Sequence, residues 1–186
     1  ARGAYWLGKS YEKLGNKELS EQWFKESSKY LTTYYGQLSF MELYPNKNFE
    51  LSKDIEVNNE YRNYFFKKEI VKLIYLLDEL DEDKYAKYIL RHLANENISN
   101  GSEVLAAELA TKIERFDFAI QISKLASYEK RFHNKYNYPI ISTPTYINGR
   151  KIPETAFILS IIRQESEFDL KANSHAGARG LMQLMP

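Results

Sequence analysis

Apolar residues recur with the spacing of an α-helix along most of this chain. Predicted helical stretches lie on both sides of a turn at Gly15-Asn16, from Glu60 to Leu80, from Asp81–Asp83 onward, and from the candidate N-caps Ser102 and Asp117. Segments rich in Asn, Pro or charged residues, Tyr44–Asn59 and Asn97–Gly101, separate these helices. The pattern predicts an all-α chain of antiparallel helix pairs, stacked as an α-solenoid.

The first two predicted helices carry small and aromatic residues at the spacing of a helical repeat. Leu7-Gly8 is followed by Tyr11, and Ser20 precedes Phe24 by four residues, which approximates the tetratricopeptide (TPR) pattern. The small residues let the two helices approach each other, and the aromatic rings fill the space beside them. This partial repeat predicts a TPR-like beginning of the solenoid.

A further helix is predicted near the end of the chain, in the stretch PETAFILSIIRQES. Its apolar residues cover most of the helix circumference, so we expect it to be buried on more than one side. Glu165 lies in the last turn, where the helix dipole and apolar surroundings oppose ionisation, and Phe168 is expected to shield it from water. A carboxylic acid that keeps its proton is suited to protonating a leaving-group oxygen.

A turn with two glycines follows Phe168. Asn173, Ser174, Gly177 and Gly180 mark this turn, in which the backbone can approach another group closely. The next residues predict a short apolar helical start in which Gln183 is the one polar member: Leu181, Met182, Leu184 and Met185. An amide among apolar residues needs a hydrogen-bond partner, and a ligand is one candidate.

The order of these residues resembles the catalytic signature of the soluble lytic transglycosylases. The motif E-S-x-F is carried by Glu165, Ser166 and Phe168, and S-x-x-G-A-x-G-L-M-Q-L-M-P is carried by residues 174–186. The stretch TTYYGQLSF near the other end resembles the segment that follows a repeat in the helical region of the same family. The resemblance implies a superhelical TPR-like scaffold followed by the N-terminal part of a goose-type lysozyme-like domain.

The resemblance also implies an activity. It implies non-hydrolytic cleavage of the β-1,4 bond between N-acetylmuramic acid and N-acetylglucosamine in peptidoglycan, which yields a 1,6-anhydro sugar. Glu165 corresponds to the single catalytic acid and base, Ser174 to the serine close to it, and Gln183 and Met185 to residues that line the cleft. The implied location is periplasmic, no cofactor is implied, and other cell-wall enzymes are candidate partners besides the glycan strands.

Two alternatives remain open. The first is a hydrolytic muramidase on the same fold, in which a second carboxylate activates water. The acidic residues nearest to Glu165 that could serve are Glu167 and Asp169, which we interpret as solvated surface charges. The second is a helical-repeat scaffold that binds peptides or proteins without catalysis.

Composition narrows the function classes. With 26 basic and 25 acidic residues, the net charge of +1 favours neither nucleic acid nor an anionic membrane as a partner. The lack of cysteine excludes disulfides and thiol catalysis, and no apolar run approaches the roughly 20 residues of a membrane span. His92 and His133 have no partner at metal-ligand spacing and His175 is interpreted as a surface residue, so no metal is predicted. Most of the 15 tyrosines, such as Tyr85 and Tyr88, are assigned to helix packing.

The predicted domain organisation has three parts. Residues 1–134 form the superhelical scaffold, residues 135–151 with their Pro and Asn-Gly turns form a linker, and residues 152–186 begin the catalytic domain. This last part is too small to hold a core alone, so it must rest on the solenoid or on polypeptide outside this chain. The absence of an initiator Met and the end at Pro186, directly after the signature, predict a fragment that is nearly inactive by itself.

Overall fold

Helices make up most of the regular structure in the computed structural model, which describes residues 1–51, 53 and 55–186. The helices are α1 Arg2–Lys13, α2 Lys17–Ser28, α3 Tyr34–Leu43, α4 Asn59–Phe66, α5 Glu69–Glu79, α6 Asp83–Glu96, α7 Ser102–Lys112, α8 Phe116–Tyr128, α9 Asn134–Asn137 and α10 Thr155–Glu165. One 3₁₀ turn, Ile98–Asn100, and two short strands, β1 Tyr146–Ile147 and β2 Arg150–Lys151, accompany them. The all-α prediction is confirmed.

The chain divides into two compact units, Ala1–Ser52 and Lys53–Pro186. In the first unit, α2 packs against both α1 and α3. The predicted turn at Gly15-Asn16 is confirmed, because Gly15 has a φ of +74° and the Asn16 side chain caps α2 by accepting a hydrogen bond from the Leu19 amide at 3.1 Å. Thr33 caps α3 in the same way, through the Gly36 amide at 3.2 Å.

The close approach of α1 and α2 depends on Gly8, as the repeat pattern predicts. A Cβ atom at Gly8 would lie 2.6 Å from Cε1 of Phe24, whose ring is buried, whereas a Cβ atom at Gly3 in the same helix would meet nothing within 4 Å. We therefore expect Gly8→Ala to destabilise the first unit by about 1–3 kcal/mol through overpacking. Gly3→Ala, the matched control, is expected to be neutral or stabilising by up to about 1 kcal/mol.

This pair of variants is measured by urea denaturation of the 186-residue chain. Both tryptophans, Trp6 and Trp23, lie in the first unit, so their fluorescence reports on its unfolding. Equal midpoints for the two variants would show that Phe24 moves aside without cost and would contradict the packing argument.

The core of the second unit lies between α4 and α8. This core includes buried side chains from five successive helices, among them Phe65, Ile74, Leu90, Leu105 and Phe118. Helix α7 is at its centre, since eight of its 11 residues are buried. Neighbouring helices pack consecutively, α5 on α6, α6 on α7 and α7 on α8. This is the stacking that the solenoid prediction requires.

One long helix of the prediction is wrong. The predicted helix from Glu60 to Leu80 is interrupted at Lys67–Lys68, where Lys68 has extended backbone (φ −62°, ψ 139°). The break lets Phe65 from α4 and Val71 from α5 enter one core. The predicted loop Tyr44–Asn59 agrees with the end of α3 and the start of α4, although its residues Ser52 and Asp54 lie outside the described residues.

The predicted N-caps of α7 and α8 are also wrong. Ser102 is the first residue of α7, and its hydroxyl donates to the Ala94 carbonyl at 2.6 Å instead of capping the helix. Asp117 lies inside the first turn of α8 and pairs with Arg115 through two hydrogen bonds of 3.0 and 2.9 Å. In both cases a partner outside the helix competes for the polar side chain.

The assignment of Tyr85 and Tyr88 to helix packing is wrong. Their side chains are 56% and 58% exposed on α6, whose inner side is formed by Ala86 and Leu90. The 3.6-residue period places every third or fourth residue on a similar side of the helix, but it does not say which side faces the core. Smaller side chains occupy the buried face here.

The segment predicted as a linker, residues 135–151, contains a β-hairpin. Its Asn148-Gly149 turn has positive φ at both residues, 50° and 74°, which is the backbone that a two-residue hairpin loop requires. Beyond it, α10 does not form a core alone. Ile162 and Phe168 pack with Ile120 of α8, so the end of the chain rests on the helical scaffold, as its small size predicts. The described helices are all too short, or too polar, to cross a bilayer.

Candidate active site

Glu165 is the last residue of α10. The expected burial of this helix on more than one side is wrong, because Ile162 is its only fully buried residue and Phe157 is 59% exposed. The Glu165 side chain is likewise exposed. It forms no hydrogen bond or ion pair within the described part of the chain, so its carboxylate is available to contact another molecule.

Phe168 does not shield Glu165 from water. The ring is 4% exposed and packs against Phe116, with the ring centroids 6.2 Å apart. Glu167 and Phe168 both adopt left-handed backbone, with φ of 52° and 67°, which is unfavourable for residues with side chains. This backbone reverses the chain after α10 and points Phe168 into the core. The apolar contact is therefore made with α8 and not with the candidate acid.

The turn predicted around Ser174 is confirmed. The Ser174 hydroxyl accepts a hydrogen bond from the Ala178 amide at 2.9 Å, and the Ser174 amide donates to the Ala178 carbonyl at 2.9 Å. Gly177 and Gly180 have φ of 91° and 71°, values that favour glycine. Ser166, the neighbour of Glu165, joins this region to α10, because its hydroxyl donates to the Leu181 carbonyl at 2.8 Å.

The predicted helical start at residues 181–185 is wrong. Arg179 and Leu184 form an antiparallel bridge with backbone hydrogen bonds of 3.0 and 3.3 Å, and Gln183 has a φ of 48°. Left-handed backbone at Gln183 is incompatible with a right-handed helix. The side-chain Nε2 of Gln183 donates to the carbonyls of Gly180 at 2.9 Å and Ala172 at 3.2 Å, so this chain itself supplies the hydrogen-bond partners that the amide needs. Met185 is 66% exposed.

The interpretation of Glu167 as a solvated charge is wrong. Its Oε1 lies 2.7 Å from Lys124 Nζ on α8 and 3.2 Å from Arg163 Nη1 on α10. Burial raises the pKa of the Glu167 carboxyl, but the two cations outweigh this and lower it overall. Asp169 caps the following turn, since its Oδ1 accepts from the Lys171 amide at 2.9 Å. Both acids thus have structural partners.

The turn after α10 is tied to the scaffold by a further charge network. Lys171 Nζ lies 2.8 Å from Asp81 Oδ1 and 2.9 Å from Asp83 Oδ2, at the start of α6. Arg115, at the start of α8, pairs with Asp83 from the other side. The pKa of the Asp81 carboxyl is lowered by the Lys171 ammonium. Lys171 thus ties the turn after α10 to the start of α6, which Arg115 in turn joins to the start of α8.

A buried cluster at Glu103 was not apparent from the sequence. This carboxylate accepts hydrogen bonds from Arg131 Nη2 and Nε, both at 2.9 Å, and lies 3.0 Å from His133 Nε2. Burial raises the pKa of Glu103, yet the hydrogen bonds from Arg131 and His133 lower it overall. His175 is exposed, as interpreted. Across the described residues, no group of three or more His, Asp or Glu side chains could hold a metal ion.

Comparisons with known proteins agree with these features. Residues 146–186 match the family model described as the transglycosylase SLT domain. A curated protein from Haemophilus influenzae, provisionally named a soluble lytic murein transglycosylase, is 31% identical over 123 residues, which is 64% of this chain and 20% of that protein.

Solved structures match over nearly the whole chain. The 70-kDa soluble lytic transglycosylase from Escherichia coli matches 98% of this chain and 29% of its own, with a TM-score of 0.69 and 20% identity. The lytic transglycosylase Slt from Pseudomonas aeruginosa, solved as an inactive Glu-to-Gln mutant, matches 100% of this chain and 30% of its own, with a TM-score of 0.73 and 21% identity. The chain therefore spans less than a third of the length of these relatives. The resemblance found in the sequence is confirmed: the chain has the helical fold of the solved soluble lytic transglycosylases, and its residues 146–186 match the transglycosylase SLT domain family.

Proposed function

We propose that this chain contributes the catalytic acid of a peptidoglycan lytic transglycosylase, and that Glu165 is this residue. The observation that carries the proposal is the position of Glu165 at the end of α10, exposed and unpaired among the described residues, inside a segment that matches the SLT domain. The half-buried Glu167, two residues after Glu165, and the buried Glu103 of α7 are instead engaged by basic side chains. A glutamate-to-glutamine mutant of the Pseudomonas relative is inactive, which agrees with one indispensable glutamate.

The proposed reaction uses one carboxyl group twice. Protonated Glu165 gives its proton to the glycosidic oxygen between N-acetylmuramic acid and N-acetylglucosamine, and the bond from that oxygen to the muramyl C1 breaks. The Glu165 carboxylate then removes the proton from the muramyl C6 hydroxyl as its oxygen bonds to C1. The products are a 1,6-anhydro end and a new N-acetylglucosamine end, and Glu165 is restored.

A bound glycan would supply the environment that the acid needs. Glu165 is exposed to water in the chain as described, and a carboxyl group holds its proton better when water is excluded. The exposed apolar side chains of Leu184 and Met185, each 66% accessible, lie in the same signature segment and are available to contact a sugar. Ser174 and Gln183 shape the turn through hydrogen bonds between their side chains and backbone groups of the turn. We propose that they position the lining of the cleft and do not react.

The hydrolytic alternative needs a second carboxylate. Glu167 is poorly suited to this role, because Lys124 and Arg163 bind its Oε1 and lower its pKa, which makes the carboxylate a weaker base. We therefore propose the non-hydrolytic reaction. Because the proposed substrate is peptidoglycan, we propose that the protein works in the compartment that contains peptidoglycan, which is the periplasm in a Gram-negative cell.

The product distinguishes the two reactions. We expect the full-length protein to convert peptidoglycan into muropeptides that are lighter by one water than the corresponding reducing products, as measured by mass spectrometry. A hydrolytic muramidase digest of the same peptidoglycan provides the reference masses. Products with reducing N-acetylmuramic acid ends, with one oxygen from labelled water, would overturn the non-hydrolytic proposal.

A further inference from the structure

The left-handed turn directly after Glu165 is held by a residue that lies far away in the sequence. Lys124 of α8 contacts Glu167 at 2.7 Å across a separation of 43 residues, and it precedes the segment that matches the SLT domain. The side chain of Glu167 is 27% exposed and that of Lys124 is 44% exposed, so this contact is only partly screened by water. It joins the scaffold to the position two residues after the candidate acid.

Arg163 extends this contact back along α10. Its Nη1 lies 3.2 Å from the same Glu167 oxygen, while its Nε donates to the Asn137 carbonyl at 2.9 Å and its Nη2 to Asn137 Oδ1 at 2.8 Å. Arg163 is thus fixed to α9, and Glu167 is fixed to both α8 and α10. Glu165 lies between Arg163 and Glu167 in the sequence, although it takes no part in these bonds.

Side-chain contacts offset backbone strain in this turn. Glu167 and Phe168 each have positive φ, which costs on the order of 1–2 kcal/mol for a residue with a side chain. Burial of the Phe168 ring against Phe116 offsets this for the second residue. For Glu167, the carboxylate bonds to Lys124 and Arg163 are the recorded side-chain contacts that favour the turn.

We propose that Lys124 is a positioning residue for the reaction of Glu165, acting through Glu167. This inference rests on the proposed function, and it adds that a helix of the scaffold takes part in setting the geometry of the acid. Without the Lys124 contact, the end of α10 is no longer tied to α8 and moves relative to the bound glycan. Misplacement of a catalytic group by about 1 Å costs up to about 100-fold in rate.

The test uses the full-length protein and a soluble glycan of defined length. Lys124→Met is expected to lower kcat by about 10-fold and to leave KM within about two-fold, because the acid is misplaced while the sugar contacts remain. Lys124→Arg retains the cation and is expected to keep kcat within about two-fold of the wild-type value. Lys72→Met is the matched control and should change neither constant, since the ion pair of this exposed lysine among the described residues is with Glu69 on the same helix.

A second variant separates positioning from stability. Asn accepts left-handed backbone better than Glu does, and its side chain is too short to reproduce the reach of Glu167 to Lys124. Glu167→Asn should therefore unfold at the same temperature as the wild type, or at a higher one, and still lose kcat by about as much as Lys124→Met.

The outcomes separate this inference from the proposed function. If Glu165→Gln is inactive but Lys124→Met and Glu167→Asn keep wild-type kcat, the positioning role is overturned and the proposed function is retained. An equal loss of kcat in Lys124→Arg and Lys124→Met would also overturn it, since the charge would then be irrelevant. If Glu165→Gln is fully active, the proposed function itself fails.

Discussion

Glu165→Gln in the full-length protein is expected to lower peptidoglycan cleavage by about 100- to 10,000-fold, the usual contribution of a general acid and base. The amide is nearly isosteric with the carboxyl group but cannot transfer the proton. Because Glu165 is exposed and unpaired among the described residues, its replacement should not change stability. Cleavage is followed by release of soluble muropeptides, binding by co-sedimentation with peptidoglycan, and stability by thermal unfolding.

The matched control is Glu154→Gln. Glu154 is also exposed, but it precedes the opposite end of α10 and its side chain makes no capping hydrogen bond. This variant should cleave peptidoglycan like the wild type. Full activity in Glu165→Gln would contradict the proposal that Glu165 is the catalytic acid. Loss of both binding and cleavage would instead indicate that the residue shapes the cleft.

Glu103→Ala is expected to have the largest effect on the second unit, a destabilisation of about 3–5 kcal/mol. Glu103 is 6% exposed, and its removal leaves Arg131 without two charge-assisted hydrogen bonds and His133, 2% exposed, without its recorded partner. Glu129→Ala is the matched control. Glu129 contacts the same Arg131 at 2.7 Å from an exposed position, and such surface pairs contribute about 0–1 kcal/mol.

Urea denaturation followed by far-ultraviolet circular dichroism measures both free energies of unfolding. The difference between the variants should also depend on pH. Since the pKa of Glu103 is lowered in the folded state, its stabilising contribution is complete above the pKa of the unfolded carboxyl, near 4.5, and is lost as the pH falls through the folded value. Equal stabilities of the two variants at pH 7 would show that the buried contact contributes no more than the exposed one.

The local parts of the fold could be predicted because they depend on short stretches of sequence. Gly15-Asn16 and Asn97–Gly101 were placed correctly as helix ends, since an Asn cap and a glycine with positive φ act within a few residues. Long-range competition explains the failures. Ser102 bonds to the Ala94 carbonyl of the preceding helix α6, and Lys68 takes extended backbone so that two short helices can share a core.

In the signature segment as well, the sequence predicted the candidate residues but not their tertiary contacts. Its residues identified Glu165, Ser174, Gln183 and Met185 as candidates, but the pattern could not distinguish an apolar helix from the bridged turn that residues 179–184 form. The periodicity of α10 predicted burial around the helix, whereas most of its outer side is exposed. A sequence pattern shows which residues are apolar, but only the tertiary structure shows which of them pack against other side chains.

The sequence by itself determined the helical class, the repeat-like opening and the identity of the candidate acid, because helical period and motif order are local properties of the chain. The tertiary structure alone decided that Glu165 is exposed, that Phe168 is buried against Phe116, and that Glu167 pairs with Lys124. These contacts join residues about 40 or more positions apart, and the energy of an ion pair or a ring contact depends on distances that no local pattern encodes.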